Sequence, residues 1–469
     1  MNGNRTAFLQ GLSKIPGLTL VTDSAELKYL AKDRTGTGSE SAMVLAEPES
    51  EKQIQSIVRL CREFQVSIVP QGGRTGYAGG ASSSGNDLLL SLHRMNRILE
   101  LNPYLPSLRA QAGCITRSIQ DYARKEGYYF PVDFASSGSS QIGGNAATNA
   151  GGIRFIRYGG MRNHILGMKA ITGTGEILET NGEILKDNTG YNLKELLIGS
   201  EGTLGIITEL TLALTAQPPE SVVLLCAHST SGDVLELLAH CRRSGLDLHA
   251  FEFFNQGCLQ KVAEHLKLDL PFSNPVPYYS LLEFTLDNAS EEFLESGELF
   301  QLCFEALPAS SDSGKKKFWS YREGISESLS AGPVHKNDIS IPLAGIPSYL
   351  DQLQQLLEQR FTDLQSYLFG HIGDGNIHIN LKPADGSLST LDFHDQCRSF
   401  DQANTELIQS FHGSISAEHG IGTLKKAALL TVRSETEIQL MQSIKATFDP
   451  DWILNPGKIF DRMQDSGIK

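Results

Sequence analysis

The chain has 469 residues, of which 40% are hydrophobic and 20% are charged, and its formal net charge is −14. This length is too great for one hydrophobic core and predicts two or three domains with an ordinary globular composition. The acidic excess argues against nucleic acid as a partner. Seven cysteines without a CxxC motif argue against a disulfide framework or a zinc ribbon and favour reduced core thiols.

The beginning of the chain and its hydropathy show no membrane signal. Residues 1–17 lack the apolar stretch of a signal peptide, and no apolar run approaches the ~20 residues of a membrane span. We therefore expect a cytoplasmic protein, with peripheral attachment to a membrane left open.

After short helices predicted up to about Thr35, the chain continues with an amphipathic helix and a glycine-rich loop. ESEKQIQSIVRLCREFQV at 49–66 places apolar residues at helical spacing, namely Ile54, Ile57, Val58 and Cys61. The strand candidate SIVP then leads into QGGRTGYAGG at 71–80, with five glycines in ten residues. Backbone N–H groups in such a loop can bind an anion, whereas the alternative is a flexible surface loop.

Two more glycine-rich stretches follow, separated by strand candidates such as NDLLLSL, RILELN and LRAQAG. They are SSGSSQIGGNAATNAGG at 136–152 and GSEGTLG at 199–205, and GIITELTLAL after the latter is a strand. The fingerprint GxGxxG before a helix is absent, so NAD is not expected. Pro218 and Pro219 indicate a domain boundary. Beyond it, strands such as SVVLLCAH and YYSLLEFT alternate with helices and predict an α+β fold with an antiparallel sheet.

The second half contains the residues that favour metal chemistry. In HIGDGNIHIN at 371–380, Gly-Asp-Gly predicts a turn, and IHIN predicts a strand with His378 and Asn380 on one face. The turn can bring His371 beside His378, as in a metal site that takes its third ligand from elsewhere. The alternative is two histidines hydrogen-bonded in an ordinary hairpin. Glu418, next to His419 in GSISAEHGIGTLKK, is the expected third ligand.

Cationic side chains suited to an anionic substrate lie between these stretches. Arg322 and Ser326 are four residues apart in KKKFWSYREGISESLSAG, which predicts one face of a helix, and Lys336 begins a strand. A guanidinium can bind a carboxylate through two parallel hydrogen bonds, whereas the alternative is a surface ion pair. A ligand with two carboxylates would need two cationic contacts, for which Arg322 and Lys336 can be assigned, and another could come from Lys425, Lys426 or Arg154.

Several of these motifs together resemble known flavoproteins. PQGGRTGYAGG, SSQIGGNAATNAGG followed by RYG, and KDNTGYNLKELLIGSEGTLGIIT are similar to the FAD-binding (PCMH-type) domain of the vanillyl-alcohol oxidase family. HIGDGNIHIN, SAEHGIGTLKK and LNPGKIF resemble the C-terminal half of FAD-linked D-2-hydroxy acid dehydrogenases. The first loop and the third glycine-rich stretch are most similar to the D-2-hydroxyglutarate dehydrogenase branch.

This resemblance covers about residues 40–460 and implies an α+β fold in three parts. Residues 1–217 would form an FAD-binding domain of two subdomains, and 218–413 a substrate or cap domain with an antiparallel sheet. Residues 414–469 would complete the active site and the FAD domain.

The implied activity is the oxidation of a D-2-hydroxy acid, above all D-2-hydroxyglutarate, to the 2-oxo acid, with hydride transfer to N5 of FAD. Alternatives are a D-lactate or glycolate dehydrogenase and, less favoured, a non-catalytic flavin-binding subunit. FAD would be non-covalent, because the first loop has no histidine. The electron acceptor would be a quinone, an electron-transfer flavoprotein or another carrier, and a homodimer is compatible with the family.

The resemblance also assigns site residues. The implied metal, zinc above all with manganese or iron(II) as alternatives, would be bound by His371, His378 and Glu418, and His419 would be the catalytic base. The substrate would contact Arg322, Ser326, Lys336 and Asn380. FAD would contact Pro70, Gln71, Gly72, Gly73, Arg74, Thr75, Gly76, Gly138, Gly143, Gly144, Asn145, Thr148, Asn149, Gly151, Gly152, Glu201, Gly202, Gly205, Ile206, Ile207 and Asn455. Arg74 departs from the small or amide residue expected at its position.

Overall fold

A computed structural model describes residues 2–39, 41–384 and 388–462 and divides into two compact units. Unit 1 comprises Met1–Gly151, Gly159–Gln217 and Glu418–Lys469, and unit 2 comprises Gly152–Tyr158 and Pro218–Ala417. Helices and strands occur in both units, so the α+β class predicted from the sequence is confirmed. In the part of the chain that is described, no helix has the length and apolarity needed to cross a bilayer.

The described residues of unit 1 form three sheets. Its strands are β1 (Thr19–Val21), β2 (Val44–Glu47), β3 (Ile68–Gln71), β4 (Leu88–Ser91), β5 (Ile98–Asn102), β6 (Ser107–Gln111), β7 (Tyr128–Tyr129), β8 (Ile165–Thr172), β9 (Ile177–Thr180), β10 (Gly205–Ala213) and β11 (Thr215–Ala216). The four-stranded sheet has the order β1-β2-β4-β3, in which β4 is parallel to both neighbours. An antiparallel five-stranded sheet has the order β5-β6-β10-β8-β9, and β11 pairs with β7.

Where the structure describes unit 2, the unit is built on one antiparallel sheet of seven strands. These are β12 (Ser221–His228), β13 (Leu248–Asn255), β14 (Tyr278–Thr285), β15 (Glu305–Ala309), β16 (His335–Ser340), β17 (Leu364–Gly370) and β18 (Asn376–Pro383). Their order is β15-β12-β14-β13-β17-β18-β16. Every residue of β12 is buried, which explains the continuous apolar run SVVLLCAH in its sequence.

Helices occur in both units. In chain order they are α1 (Asn2–Ser13), α2 (Ser24–Leu30), α3 (Glu51–Phe64), α4 (Thr116–Lys125), α5 (Ile142–Ala147), α6 (Phe155–Tyr158), α7 (Met161–His164), α8 (Lys194–Leu197), α9 (Ser231–Arg243), α10 (Gln256–Leu266), α11 (Asn288–Glu295), α12 (Leu299–Leu302), α13 (Asp312–Glu323), α14 (Ile325–Ser328), α15 (Ile346–Arg360), α16 (Thr390–Ser410), α17 (Lys426–Val432) and α18 (Glu435–Phe448). Two 3-10 turns, Leu343–Gly345 and Ile372–Asp374, lie in unit 2.

Helix α3 shows how the sequence determines one of these elements. Ser50 is its N-cap and accepts a hydrogen bond from the Gln53 backbone N–H, while Gln65 ends the helix in the left-handed region with φ 53°. The residues that predicted the helix, Ile54, Ile57, Val58 and Cys61, are all buried. The amphipathic helix predicted from their spacing is therefore confirmed.

The C-terminal segment contributes to unit 1 by pairing with its first sheet. Leu454 forms a parallel bridge with Ile68 of β3, and Asn455 N–H donates to the Ile68 carbonyl at 2.7 Å. Lys445 of α18 is buried and donates from Nζ to the carbonyls of Thr203 and Leu454. These contacts bring residues more than 200 positions apart in the sequence into one core.

Candidate functional site

The HIGDGNIHIN stretch forms the turn after β17 and the first five residues of β18. Ile372–Asp374 is a 3-10 turn, and Gly375 follows it with φ +89°. A Cβ at Gly375 would stand 2.6 Å from the Ile341 carbonyl oxygen, so the position accepts only glycine without rearrangement. The turn predicted from Gly-Asp-Gly is confirmed, and β18 begins directly after it at Asn376.

The two histidine rings converge at this turn. The ring centroids of His371 and His378 are 5.4 Å apart, with the planes at 83° to one another. Glu418 directly follows Ala417, the last residue of unit 2. The assignment of Glu418 as the third ligand stays a prediction. Two imidazoles and a carboxylate are a donor set that suits zinc, manganese or iron(II).

Each of the two histidines has a buried carboxylate at its Nδ1 atom. Glu252 Oε1 of β13 is 2.7 Å from His371 Nδ1, and Asp338 Oδ1 of β16 is 3.3 Å from His378 Nδ1. Neither carboxylate is exposed to solvent. A carboxylate at Nδ1 fixes the tautomer in which Nε2 is the ligand atom, as is usual for histidines that bind a metal. The two rings therefore fit a metal in both position and tautomer.

Arg322 lies beside Glu252, the carboxylate that contacts His371. Its Nη2 atom is 2.7 Å from Glu252 Oε2, and its guanidinium lies over the Phe369 ring at 5.0 Å. The pairing with Glu252 is an ion pair without hydrogen-bond geometry. Burial alone would raise the pKa of Glu252, but the neighbouring His371 and the Arg322 guanidinium outweigh it and lower that pKa, so the carboxylate is ionised.

Arg322 and Asn380 each keep a buried donor that no protein atom uses. Among the described residues, neither Arg322 Nε nor Asn380 Nδ2 has a hydrogen-bond partner, although the two residues are only 8% and 2% exposed. Buried donors normally have acceptors, so these two are suited to an anionic or hydroxylated ligand. Asn380 lies opposite Lys336 of β16 and Tyr367 of β17 in the sheet.

Ser326 does not lie in the same helix as Arg322. The single helix predicted across Arg322 and Ser326 is instead two helices, α13 and α14, which meet at Gly324. A Cβ at Gly324 would stand 2.8 Å from the Ser320 carbonyl, so this junction is closely packed. Ser326 is exposed whereas Arg322 is buried. Its assignment to the substrate stays a prediction.

Two of the cations proposed for a second carboxylate form ion pairs with acidic side chains. Arg154 lies 3.2 Å from the buried Glu283, and Lys426 lies 2.7 Å from Asp461. Lys336 lies opposite Asn380 in the sheet.

In unit 1 the first two glycine-rich stretches pack against each other. A Cβ at Gly73 would stand 2.2 Å from the Ser139 carbonyl oxygen, and one at Gly143 would stand 2.5 Å from the Ala112 Cβ. These two glycines are thus required by packing within the protein. By contrast, no described atom lies within 4 Å of a Cβ added at Gly76 or Gly138.

The first loop also presents backbone donors. Within the described residues, no acceptor binds the backbone N–H groups of Gly73, Arg74, Thr75 or Gly76. Successive unpaired N–H groups in a half-buried loop fit the phosphates of a nucleotide cofactor. The Arg74 side chain takes no part in this, because it donates to the Tyr29 and Lys32 carbonyls and lies over the Tyr29 ring. Its φ of 54° instead helps to shape the loop.

Most of the other predicted cofactor residues lie at the end of β3, in or just after α5, and at the start of β10, all in unit 1. Pro70 and Gln71 end β3, Gly143, Gly144 and Asn145 lie in α5, Thr148 and Asn149 follow α5, Gly151 comes next, Gly202 precedes β10, and Gly205, Ile206 and Ile207 begin β10. Gly152 belongs to unit 2 by its contacts. Gln71 donates to the Leu30 and Ala81 carbonyls, and Asn145 donates to Thr116 Oγ1, so these two amides are structural in part.

Glu201 and Asn455 join the first and third glycine-rich stretches to the C-terminal segment. The Glu201 carboxylate accepts hydrogen bonds from the backbone N–H groups of Ile421 (2.7 Å) and Gly422 (2.8 Å). Asn455 Nδ2 donates to the carbonyls of Gly80 and Glu201. Asn455 Oδ1 is buried and, among the described residues, has no donor, so it can accept a hydrogen bond from a cofactor.

His419 lies against the first loop. Its ring centroid is 5.0 Å from that of Tyr77, with the planes tilted by 37°. Gly422 and Thr423 follow, and Thr423 N–H donates to the Ala78 carbonyl at 2.9 Å. The predicted base is thus fixed beside the loop whose N–H groups fit a phosphate.

The chain matches known proteins over nearly all of its length. Residues 42–181 match the "FAD binding domain" family, and residues 217–459 match "FAD linked oxidases, C-terminal domain". The chain belongs to the FAD-linked oxidase family. It is 42% identical over 453 residues to a D-2-hydroxyglutarate dehydrogenase of Xanthomonas citri pv. viticola, with 95% of each chain covered. The mitochondrial D-2-hydroxyglutarate dehydrogenase of Danio rerio is 34% identical, over 95% of this chain and 83% of that one.

Solved structures show the same fold. This FAD-linked oxidase superposes on a 4-ethylphenol oxidase from Gulosibacter chungangensis with a TM-score of 0.76 and 16% identity, over 99% of both chains. A p-cresol methylhydroxylase gives a TM-score of 0.76 and 13% identity, over 98% of both chains. The predicted PCMH-type fold, the FAD cofactor and the assignment to the oxidoreductases are confirmed.

Sequence reasoning missed three neighbours of the site, namely Glu252, Asp338 and Tyr77. A signal for Glu252 was present, because a glutamate inside the apolar strand sequence HAFEFFN is rarely buried without a partner. Asp338 lies two residues after Lys336 on the same strand and so on the same face. Tyr77 gave no comparable signal, because an aromatic residue in a glycine-rich loop has many ordinary roles.

Proposed function

We propose that this FAD-linked oxidase oxidises D-2-hydroxyglutarate to 2-oxoglutarate with the assistance of a divalent metal. The observation that carries the proposal is the pair of buried donors without protein acceptors, Arg322 Nε and Asn380 Nδ2, on the unit that contains His371 and His378. Relatives at 42% and 40% identity named D-2-hydroxyglutarate dehydrogenase support this substrate over lactate or glycolate.

The substrate carboxylates would be bound by cationic and amide side chains. Arg322 keeps Nε for a substrate carboxylate, while Nη2 is paired with Glu252. Asn380 would donate to the same ligand, and Lys336, opposite Asn380, would be the second cation that a dianion needs. Lactate has one carboxylate and needs only one such anchor.

The metal would be bound by His371 Nε2, His378 Nε2 and the Glu418 carboxylate. When bound, the ion would polarise the substrate hydroxyl and lower its pKa. Three protein ligands leave coordination positions open for substrate, as in catalytic rather than structural sites. The donor set suits zinc, manganese or iron(II), and ligand type alone does not choose among them; we propose zinc, with manganese and iron(II) as alternatives.

His419 would accept the hydroxyl proton at a ring nitrogen. An imidazole is suited to this near neutral pH, and the Tyr77 ring holds it against the first loop. His419 directly follows Glu418, so the base and the third ligand share one short backbone segment. When bound, FAD would accept the hydride from the substrate carbon.

We further propose that FAD is non-covalent, because the first loop carries no histidine through which it could be attached. Acid precipitation should release all flavin into the supernatant. Flavin that remains with the precipitated protein would refute this.

We propose that the electron acceptor of the enzyme is a quinone or an electron-transfer flavoprotein. The protein would work in the cytoplasm, since its seven cysteines are all buried thiols, as expected in a reducing compartment. Reoxidation by a soluble quinone and by an electron-transfer flavoprotein can be compared directly. Failure with both would contradict this assignment of the acceptor.

Anaerobic flavin bleaching tests the substrate assignment. Wild-type protein is mixed with the D and L forms of 2-hydroxyglutarate and lactate, and with glycolate. The proposal predicts the fastest bleaching with D-2-hydroxyglutarate and a large loss of that preference in Arg322→Met, because the anchor is gone. Equal or faster bleaching by D-lactate or glycolate would contradict it.

A further inference from the structure

Glu252 stands out as a charged residue in an apolar strand. It lies in β13 between Phe251 and Phe253, and its side chain has no exposure to solvent. Taking a carboxylate out of water is costly unless specific partners compensate it. Its partners therefore indicate why the chain keeps a charge at this position.

The two oxygens of Glu252 have different partners. Oε1 lies 2.7 Å from His371 Nδ1, and Oε2 lies 2.7 Å from Arg322 Nη2. The partners come from different elements, since His371 follows β17 and Arg322 is near the end of α13. One side chain thus contacts both a predicted metal ligand and the predicted substrate anchor.

We infer that Glu252 is a positioning residue that couples the metal site to the substrate-binding arginine. The inference rests on the proposed function. Through Oε1 it keeps the His371 proton on Nδ1 and leaves Nε2 as the metal ligand, and such partners strengthen metal binding. Through Oε2 it compensates the Arg322 charge and holds the guanidinium over Phe369, so that Nε keeps its direction.

The chemistry of an amide makes this role testable. Glu252→Gln keeps the size of the side chain but has only one oxygen. Its NH2 group must face either His371 Nδ1–H or Arg322 Nη2, and both are donors. At least one of the two partners is then displaced. Glu252→Asp retains both oxygens on a shorter side chain and should have an intermediate effect.

Glu283 offers a matched control. It is a buried glutamate in β14, the neighbouring strand, where it lies opposite Ala250 of β13. It also forms an ion pair with an arginine, Arg154, at 3.2 Å. Glu283→Gln therefore reproduces the loss of a buried, arginine-paired carboxylate without contact to His371 or Arg322.

The experiment uses FAD-loaded protein stripped of metal by a chelator. Zn²⁺ affinity is measured by competition with a chromophoric chelator, and KM and kcat for D-2-hydroxyglutarate are measured after metal is restored. Wild type, His378→Ala, Glu252→Gln, Glu252→Asp and Glu283→Gln are compared, and thermal unfolding confirms that each is folded.

The inference predicts that Glu252→Gln binds Zn²⁺ about 10- to 100-fold more weakly, raises KM about tenfold, or both, with a smaller change in kcat. Glu252→Asp should lie between this variant and wild type, and Glu283→Gln should match wild type in both measurements. Glu252→Gln indistinguishable from Glu283→Gln in Zn²⁺ affinity and KM would overturn the inference. Wild type and His378→Ala with equal Zn²⁺ affinity would instead refute the metal site itself.

Discussion

At the scale of single residues, buried carboxylates organise both units. Glu201 accepts two backbone N–H groups from the segment that carries His419, and Asp338 and Glu252 each contact the Nδ1 atom of a histidine. Burial raises the pKa of Glu201, although those hydrogen bonds and nearby lysines oppose the shift. Each of these carboxylates positions another group.

Glu201→Gln should loosen the His419 segment. The amide can accept from only one of Ile421 N–H and Gly422 N–H, and it presents its own NH2 to the other. An unsatisfied buried donor costs about 1–3 kcal/mol of the free energy of unfolding. We expect that loss in denaturant unfolding, together with slower flavin reduction.

The control for Glu201 is Glu209→Gln in β10. Glu209 is half-buried and forms longer ion pairs with Arg109 (3.6 Å) and Lys169 (3.9 Å). Its replacement should cost less than about 1 kcal/mol and leave flavin reduction unchanged. If the two variants reduce their flavin at the same rate, Glu201 does not position His419.

His228 should make unit 2 less stable in mild acid. It is buried in β12, with Nε2 2.7 Å from Ser280 Oγ, and burial lowers its pKa from 6.5 to about 4. Below pH 6.5 the unfolded chain binds a proton that the folded protein excludes until about pH 4, so stability falls across that window. The expected loss is about 3 kcal/mol.

Urea unfolding at pH 7 and pH 4 measures this loss, with His228→Gln as the non-titrating comparison. The variant should be less stable than wild type at pH 7 but should lose about 3 kcal/mol less on acidification. An equal loss in both proteins would show that His228 is not the group responsible.

Sequence reasoning at the residue scale succeeded where the pattern was local. The turn at Gly375 and the shared face of His378 and Asn380 follow from ten consecutive residues. The Glu252–His371 contact could not be predicted, because 119 residues separate the partners and only the strand order brings them together.

At the scale of elements, the glycine-rich stretches serve two different purposes. Gly73 and Gly143 permit close approach between protein segments, whereas Gly76 and Gly138 have no protein atom near an added Cβ in the described residues. Composition predicted a ligand-binding loop but could not separate these purposes, since both call for glycine. Composition also could not predict that the helix expected across Gly324 is divided into α13 and α14 at this closely packed glycine.

Alanine at Gly73 and at Gly76 should separate packing from cofactor binding. Gly73→Ala forces a Cβ against the Ser139 carbonyl and should destabilise the flavin-free protein by about 1–3 kcal/mol. Gly76→Ala should leave that stability unchanged and weaken only FAD binding. Thermal unfolding of flavin-free protein and titration with FAD provide the two measurements. Equal stability of the two flavin-free variants would contradict this division.

At the scale of the whole molecule, the length and the alternation of strands and helices were sufficient for the α+β class. Strand order was not predictable, because β3 receives Leu454 from the far end of the chain and β13 lies between β14 and β17. Such pairings depend on long-range packing rather than on local propensity. The PCMH-type fold was predicted from the resemblance to flavoproteins and not from periodicity.

The central claim is that a metal bound by His371, His378 and Glu418 assists oxidation of D-2-hydroxyglutarate by the flavin. Its most direct test is anaerobic flavin bleaching after treatment with EDTA and removal of the chelator. We expect that FAD stays bound, that bleaching by D-2-hydroxyglutarate is nearly abolished, and that Zn²⁺ or Mn²⁺ restores it in wild type but not in His378→Ala. Bleaching at the untreated rate in metal-free protein would contradict a role of the metal.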